Sequence, residues 1–229
     1  MPADVSAAAP ARPRRLAVLA SGNGSNLQAV LDRSSADPAF GGEVVVVGAD
    51  RPDAYGLVRA RQAGVPTVVQ SLGDHPDRAT WEEALRSDLL AYEPEVIVLA
   101  GFMRVLSGRF VATWPGRVIN THPSLLPAFR GAHAVREALE FGVKVTGSTV
   151  HLVDDQVDHG PIIAQQPVEV RSDDTEDSLH DRIKEVEHEL FPACISLLCQ
   201  GRLEIRDRTV VIRPPLAHPP LAHPQEEIP

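Results

Sequence analysis

"LAVLASGNGSNLQAVL", residues 16–31, begins as an unbroken apolar run, breaks at Ser21-Gly22-Asn23-Gly24-Ser25-Asn26, and resumes with apolar residues at helical spacing. A strand, a glycine turn and a helix in that order bring unpaired backbone N–H groups to the helix start, where an anion is favoured. Gly22 and Gly24 permit close approach of a ligand, while Ser25 and Asn26 offer a helix cap or side-chain hydrogen bonds. A dinucleotide fingerprint would need a third glycine, where Leu27 stands, although Asp50 does end the second strand candidate. A P-loop would need a Lys that the turn lacks. Two readings stay open: a phosphate held mainly by backbone amides, or a tight strand–helix connection that binds nothing.

Outward from this turn the chain alternates. Strand candidates are Leu16–Ala20, Val44–Gly48, Thr67–Val69, Val96–Ala100 and Val118–Thr121, and the runs "VVVV" and "VIVLA" among them are apolar throughout, as buried parallel strands tend to be. Helix candidates fall between them: Leu27–Arg33, Ala54–Ala63 closed by Gly64 and Pro66, and Thr80–Tyr92 with a capping-box pattern at Thr80–Glu83. This alternation predicts an α/β, doubly wound, mostly parallel Rossmann-like sheet with ligands at the C-terminal strand ends. After Pro127 the pattern predicts a helix at Ala134–Phe141 and strand character at Val143–Leu152 and Pro161–Val170. A final helix is capped by Thr175, with Pro192 expected to kink or divide it. The expected boundaries are a lead-in at 1–14, one domain at 15–206 (halves 15–121 and 122–206), and a Pro-rich tail at 207–229 carrying a tandem Pro-Pro-Leu-Ala-His.

Composition narrows the partners. The 229 residues carry a net charge of −9, from 22 basic against 31 acidic side chains, which argues against nucleic acid. No apolar stretch approaches the roughly 20 residues of a membrane span, and the N-terminus lacks a signal-peptide core. Cys194 and Cys199 do not form a CxxC pair and read as buried thiols. A cytoplasmic enzyme acting on small molecules, as monomer or homodimer, is the expectation.

Two further segments carry chemistry. In "VINTHPSLLP", residues 118–127, Asn120 and His122 lie two apart at a strand end and share one face. A carboxamide can donate to a developing oxyanion and an imidazole can move a proton; a strand-end His bonded to a neighbouring loop is the plainer alternative. "HLVDDQVDHGPII", residues 151–163, clusters acids and histidines without matching a known metal-site spacing. Its acids are either solvated or supply one carboxylate, Asp158, folded back onto His122 to raise the imidazole pKa and orient the ring.

Taken together, "SGNGSNLQA", "VLAGFMRVLS", "NTHPSLLP", "GSTVHLVDDQVDHGPII" and "EHELFP" resemble the glycinamide ribonucleotide formyltransferase family of purine biosynthesis over roughly residues 15–206. The resemblance implies the formyltransferase fold, 10-formyltetrahydrofolate as co-substrate and no metal. It implies a catalytic trio of Asn120, His122 and Asp158. It further implies a ribonucleotide phosphate held by Gly24, Ser25 and Asn26, with Glu187 at the same substrate. The folate is implied to lie along Met103, Arg104, Val105 and Leu106 and against Asn120, with Arg78 near its acidic tail. Arg130 departs from the family pattern, which often has Pro before the residue matching Gly131. Methionyl-tRNA formyltransferase and formyltetrahydrofolate hydrolase share the trio, but the former adds a C-terminal domain and the latter usually an N-terminal one, for which little chain is available. A nucleotide-binding regulatory protein is the non-enzyme alternative.

Overall fold

The computed structural model describes residues 12–214; most of the expected lead-in and the tandem repeat of the tail lie outside the described residues. In chain order the elements are β1 (Arg14–Leu19), α1 (Ser25–Ala36), β2 (Gly42–Ala49), α2 (Tyr55–Gln62), β3 (Thr67–Val69), α3 (Arg78–Leu90), β4 (Val96–Leu99), the single turn α4 (Gly108–Val111) and β5 (Val118–His122). They continue with α5 (Ala134–Phe141), β6 (Val145–Leu152), β7 (Ile162–Glu169), α6 (Glu176–Cys199), β8 (Leu203–Arg206) and β9 (Thr209–Ile212).

Among the described residues nine strands join one sheet in the order β3-β2-β1-β4-β5-β6-β7-β9-β8. From β3 to β5 the strands are parallel, and β6 and β7 follow antiparallel. From β1 the chain winds outward to β3, then crosses back to β4 and β5, so the topological switch lies between β1 and β4. In such a sheet the ligand crevice opens at the C-terminal strand ends beside that switch.

The continuous apolar strands are explained by their two covered faces. On β1, Leu16 and Val18 pack with Leu27 and Val30 of α1 and with Phe191 and Ile195 of α6. Ala17 and Leu19 point the other way, into a cluster with Trp81, Leu85 and Leu89 of α3 and Phe110 of α4. Alternation along Leu16–Leu19 feeds both layers at once, so that run leaves no position to be polar.

Local expectations are met with three amendments. Asp77, not Thr80, caps α3: its carboxylate accepts from the Thr80 amide at 2.8 Å, and the helix starts at Arg78. Helix α6 runs unbroken through Pro192. Proline removes one donor there, but Phe191, Cys194 and Ile195 are anchored in the core on either side of it. Third, the β8–β9 hairpin adds two strands that the sequence reading did not anticipate, β9 lying within the stretch assigned to the tail and pairing with β7. Cys194 and Cys199 are free and buried, their thiols pushed up to about 12 by burial.

Candidate active site

Three loops meet at the C-terminal edge of the parallel strands: the glycine turn after β1, residues 100–107 after β4, and the segment that follows His122 at the end of β5. The first two are stitched together, since the Ser21 amide donates to the Gly101 carbonyl at 3.1 Å and the Met103 amide donates to Ser21 Oγ at 2.8 Å. Glu82 of α3 braces the same loop by accepting from the Ser107 amide at 2.6 Å.

A cavity of about 270 Å³ opens along this edge. Leu99, Met103, Arg104, Val105 and Leu106 form one wall, and residues 153–158 form another. Met103 and Val105 are exposed and Leu106 is buried, so the wall presents apolar surface backed by core. Asn120 and His122 stand at the floor, on the β5 face that carries Val118.

His122 Nδ1 lies 3.4 Å from Asp158 Oδ2, with both side chains nearly buried. The two meet because β6 runs back antiparallel to β5, and the loop after it, with Asp158 at φ 47°, folds over the strand end. The Gly131 amide donates to Asp158 Oδ2 at 2.8 Å and fixes the carboxylate from the far side. Burial draws the Asp158 carboxyl upward, but the facing His151 and His122 imidazoles and the Gly131 amide outweigh it and leave the group below its ordinary value. His122 shows the opposite balance. Burial lowers the imidazole pKa more than Asp158 raises it. The expected upward pull is therefore present but does not win, because the ring sits in the protein interior.

Hydrogen-bond partners assign the tautomers. The Phe129 carbonyl, 2.7 Å from His122 Nε2, can only accept, so Nε2 carries the proton and Nδ1 faces Asp158. By the same logic His151 Nδ1 donates to the Leu152 carbonyl at 2.8 Å, and its Nε2 accepts from Asn120 Nδ2 at 3.2 Å. One N–H of the Asn120 amide is thus tied back and the other left free. In the sequence His151 stands only as one member of an acidic–histidine cluster. Its place opposite Asn120 in the β5–β6 register was hidden without knowing that these strands pair.

The implied ribonucleotide residues occupy the other face of β5. Thr121, between Asn120 and His122, turns toward α6 and donates to Glu187 Oε1 at 3.0 Å. Glu187 Oε2 accepts from Asn26 Nδ2 at 2.8 Å. Glu187 is buried rather than open to the cavity, and burial pushes its carboxyl up against the pull of Asn26 and Thr121. Helix α1 begins at Ser25 with Gly24 at φ 74° and no side-chain cap, so its first amides remain unclaimed. Arg104 lies against Asp50, Nε to Oδ2 at 2.6 Å. Arg78 donates to the Val105 carbonyl from a second, neighbouring cavity rather than from the main one. Arg130 is exposed beside Gly131. Among the described residues no group of three or more His, Cys, Asp or Glu is arranged to hold a metal, and no helix is long and apolar enough to cross a membrane.

Residues 14–195 match the family described as formyl transferase. The phosphoribosylglycinamide formyltransferase of Mycobacterium tuberculosis is 46% identical over 89% of this chain and 93% of its own. The enzyme of that name from Escherichia coli is 43% identical over 84% and 90%. Among solved structures, glycinamide ribonucleotide transformylase 1 of Symbiobacterium toebii superposes with a TM-score of 0.87 at 46% identity, covering 90% of this chain and 96% of that one. A formyltetrahydrofolate deformylase from Pseudomonas syringae shares the fold at TM-score 0.81 and 25% identity, but only 67% of that longer chain is covered.

Proposed function

The chain belongs to the phosphoribosylglycinamide formyltransferases of the formyl transferase family, and from that premise we propose that its chemistry runs through Asn120, His122 and Asp158. The reaction moves the formyl group of 10-formyltetrahydrofolate to the primary amine of glycinamide ribonucleotide, a step of de novo purine biosynthesis. Support for the three roles comes from one convergence: a carboxamide, an imidazole and a carboxylate meet at a single strand end, on the floor of a cavity with an apolar wall.

The amine nitrogen attacks the formyl carbon, and the carbonyl electron pair moves onto oxygen. The free N–H of Asn120 donates to that oxyanion, whose orientation is preset by the His151 bond. His122 rests neutral with its Nε2–H held by Phe129, so Nδ1 is the nitrogen free to take the proton that leaves the amine. The imidazolium then formed is compensated by Asp158 at 3.4 Å. The oxyanion collapses, the bond from carbon to N10 breaks, and N10 takes the proton from His122. One proton and one formyl group change places, and no other reactant is consumed.

In the same reading Met103, Arg104, Val105 and Leu106 line the folate's path, with Arg78 beyond them at its acidic tail. The α1 amides at Ser25 and Asn26, after Gly24, hold the ribonucleotide phosphate, and Glu187 serves the same substrate from beneath, through its hydrogen bond to Asn26. The test is loss of 10-formyltetrahydrofolate with and without glycinamide ribonucleotide. Amine-dependent loss supports the reading; loss of the donor to water alone would make the chain a hydrolase like the deformylase it resembles in fold.

A further inference from the structure

One guanidinium lies against the glycine turn with only neutral hydrogen-bond partners. Arg59, on α2, donates from Nε to the Asn23 carbonyl at 2.8 Å, from Nη2 to Asn23 Oδ1 at 3.0 Å, and from Nη1 to Gln28 Oε1 at 3.1 Å. Tyr55, one turn earlier, places its ring centroid 5.0 Å from the guanidinium carbon. These acceptors are all neutral, and among the described residues Arg59 forms no ion pair. An acidic protein thus holds a rigid, uncompensated cation across the entrance to α1.

The rest of α2 serves the same end. The Gly56 amide donates to the Gly22 carbonyl at 3.1 Å. A Cβ on Gly24 would stand 2.8 Å from the Gly56 Cα, so the two backbones touch. On α6, burial and then the charges of Lys184 and Arg59 lower the His188 pKa against the upward pull of Glu185 and Glu189, so the Arg59 charge reaches that side chain.

We propose that Arg59 is a positioning residue for the ribonucleotide: it locks the Ser21–Asn26 turn in its anion-accepting form before substrate arrives and supplies the positive field that a turn without Lys lacks. The proposal rests on the reading of that turn as the phosphate cradle. A plain structural tie between α1 and α2 would explain the hydrogen bonds but not a dependence of phosphate affinity on the charge.

The experiment compares wild type, Arg59→Lys and Arg59→Gln in steady-state kinetics against both substrates, with inorganic phosphate and ribose 5-phosphate as competitors. Arg59→Gln should raise the KM for glycinamide ribonucleotide by about tenfold, the scale of one charge-assisted contact. The folate KM and kcat should move by no more than about twofold on the same scale. Both phosphate competitors should weaken by the same factor as the ribonucleotide, and Arg59→Lys should recover part of the loss. An unchanged ribonucleotide KM in folded Arg59→Gln overturns the proposal, as does a parallel rise in both KM values. If Arg59→Gln fails to fold, the Arg59→Lys kinetics decide alone. Wild type that consumes no donor when the ribonucleotide is added would instead remove the phosphate-cradle reading, and the proposal with it.

Discussion

Asn26 and Glu187, 161 residues apart in sequence, share a buried hydrogen bond of 2.8 Å. Through it the start of α1 is joined to the middle of α6, and through Thr121 the same carboxylate reaches β5 between Asn120 and His122. The proposed phosphate cradle and the proposed catalytic strand therefore share one buried acid.

Replacing Glu187 with Gln tests the state of that acid. Its carboxyl is raised by burial, so the native state holds a proton that the unfolded state has released once pH passes the ordinary value. Stability must fall as pH rises from 4.5 through the raised native value. Glu187→Gln has no charge to bury, so its melting temperature should be less sensitive to pH over that window, and the ribonucleotide KM should rise. Thermal melts at acid and alkaline pH decide; equal pH sensitivity in both proteins would count against a raised Glu187.

Asn120→Ala removes one oxyanion donor. Turnover should fall by about 10²–10³-fold, with near-native melting because Asn120 is only half-buried at a strand end. Single-turnover formyl transfer with both substrates saturating isolates the chemical step. A rate within a few-fold of wild type would exclude the donor role.

The acid limb of activity should lie low. Burial holds the His122 pKa below 6.5 despite Asp158. In Asp158→Asn the opposing charge is gone, so the imidazole should titrate lower still and the acid limb of kcat/KM should move the same way. The sign for stability is opposite to that of Glu187. A buried neutral His costs stability as pH drops below 6.5, where the unfolded chain binds the proton and the native state does not. NMR titration of the His122 ring reads the value directly, and an upward shift in Asp158→Asn would refute the assignment.

Gly24→Ala should be costly. The residue holds φ 74°, and the new methyl would meet the Gly56 backbone at 2.8 Å. Left-handed backbone alone costs about 1–2 kcal/mol for a non-glycine residue, and α2 must also retreat from the turn. A lower denaturation midpoint together with a raised ribonucleotide KM is expected. Gly22→Ala is the control, since nothing lies within 4 Å of its added methyl.

Most of the sheet is legible in the sequence. Valine-rich runs covered on both faces need no partner information to be recognised, because burial on both sides is written into Val44–Val47 of β2 and Val96–Leu99 of β4. The glycine turn was equally plain, since φ 74° at Gly24 and contact with Gly56 both call for a residue without a side chain. The β8–β9 hairpin was not legible: its residues are half-buried or exposed, and pairing with β7 alone makes β9 part of the sheet.

What the amino-acid order determined by itself is local: which segments are strands and helices, where backbone must be glycine, and which side chains could handle a proton or donate to an oxyanion. Only the tertiary structure decided that β6 returns antiparallel to β5, so that His151 stands beside Asn120 and Asp158 comes within 3.4 Å of His122. It also decided the balance of charge at His122, where burial outweighs the carboxylate. Desolvation and ion pairing depend on what surrounds a group in space, and the neighbours of His122 come from segments far apart in the chain.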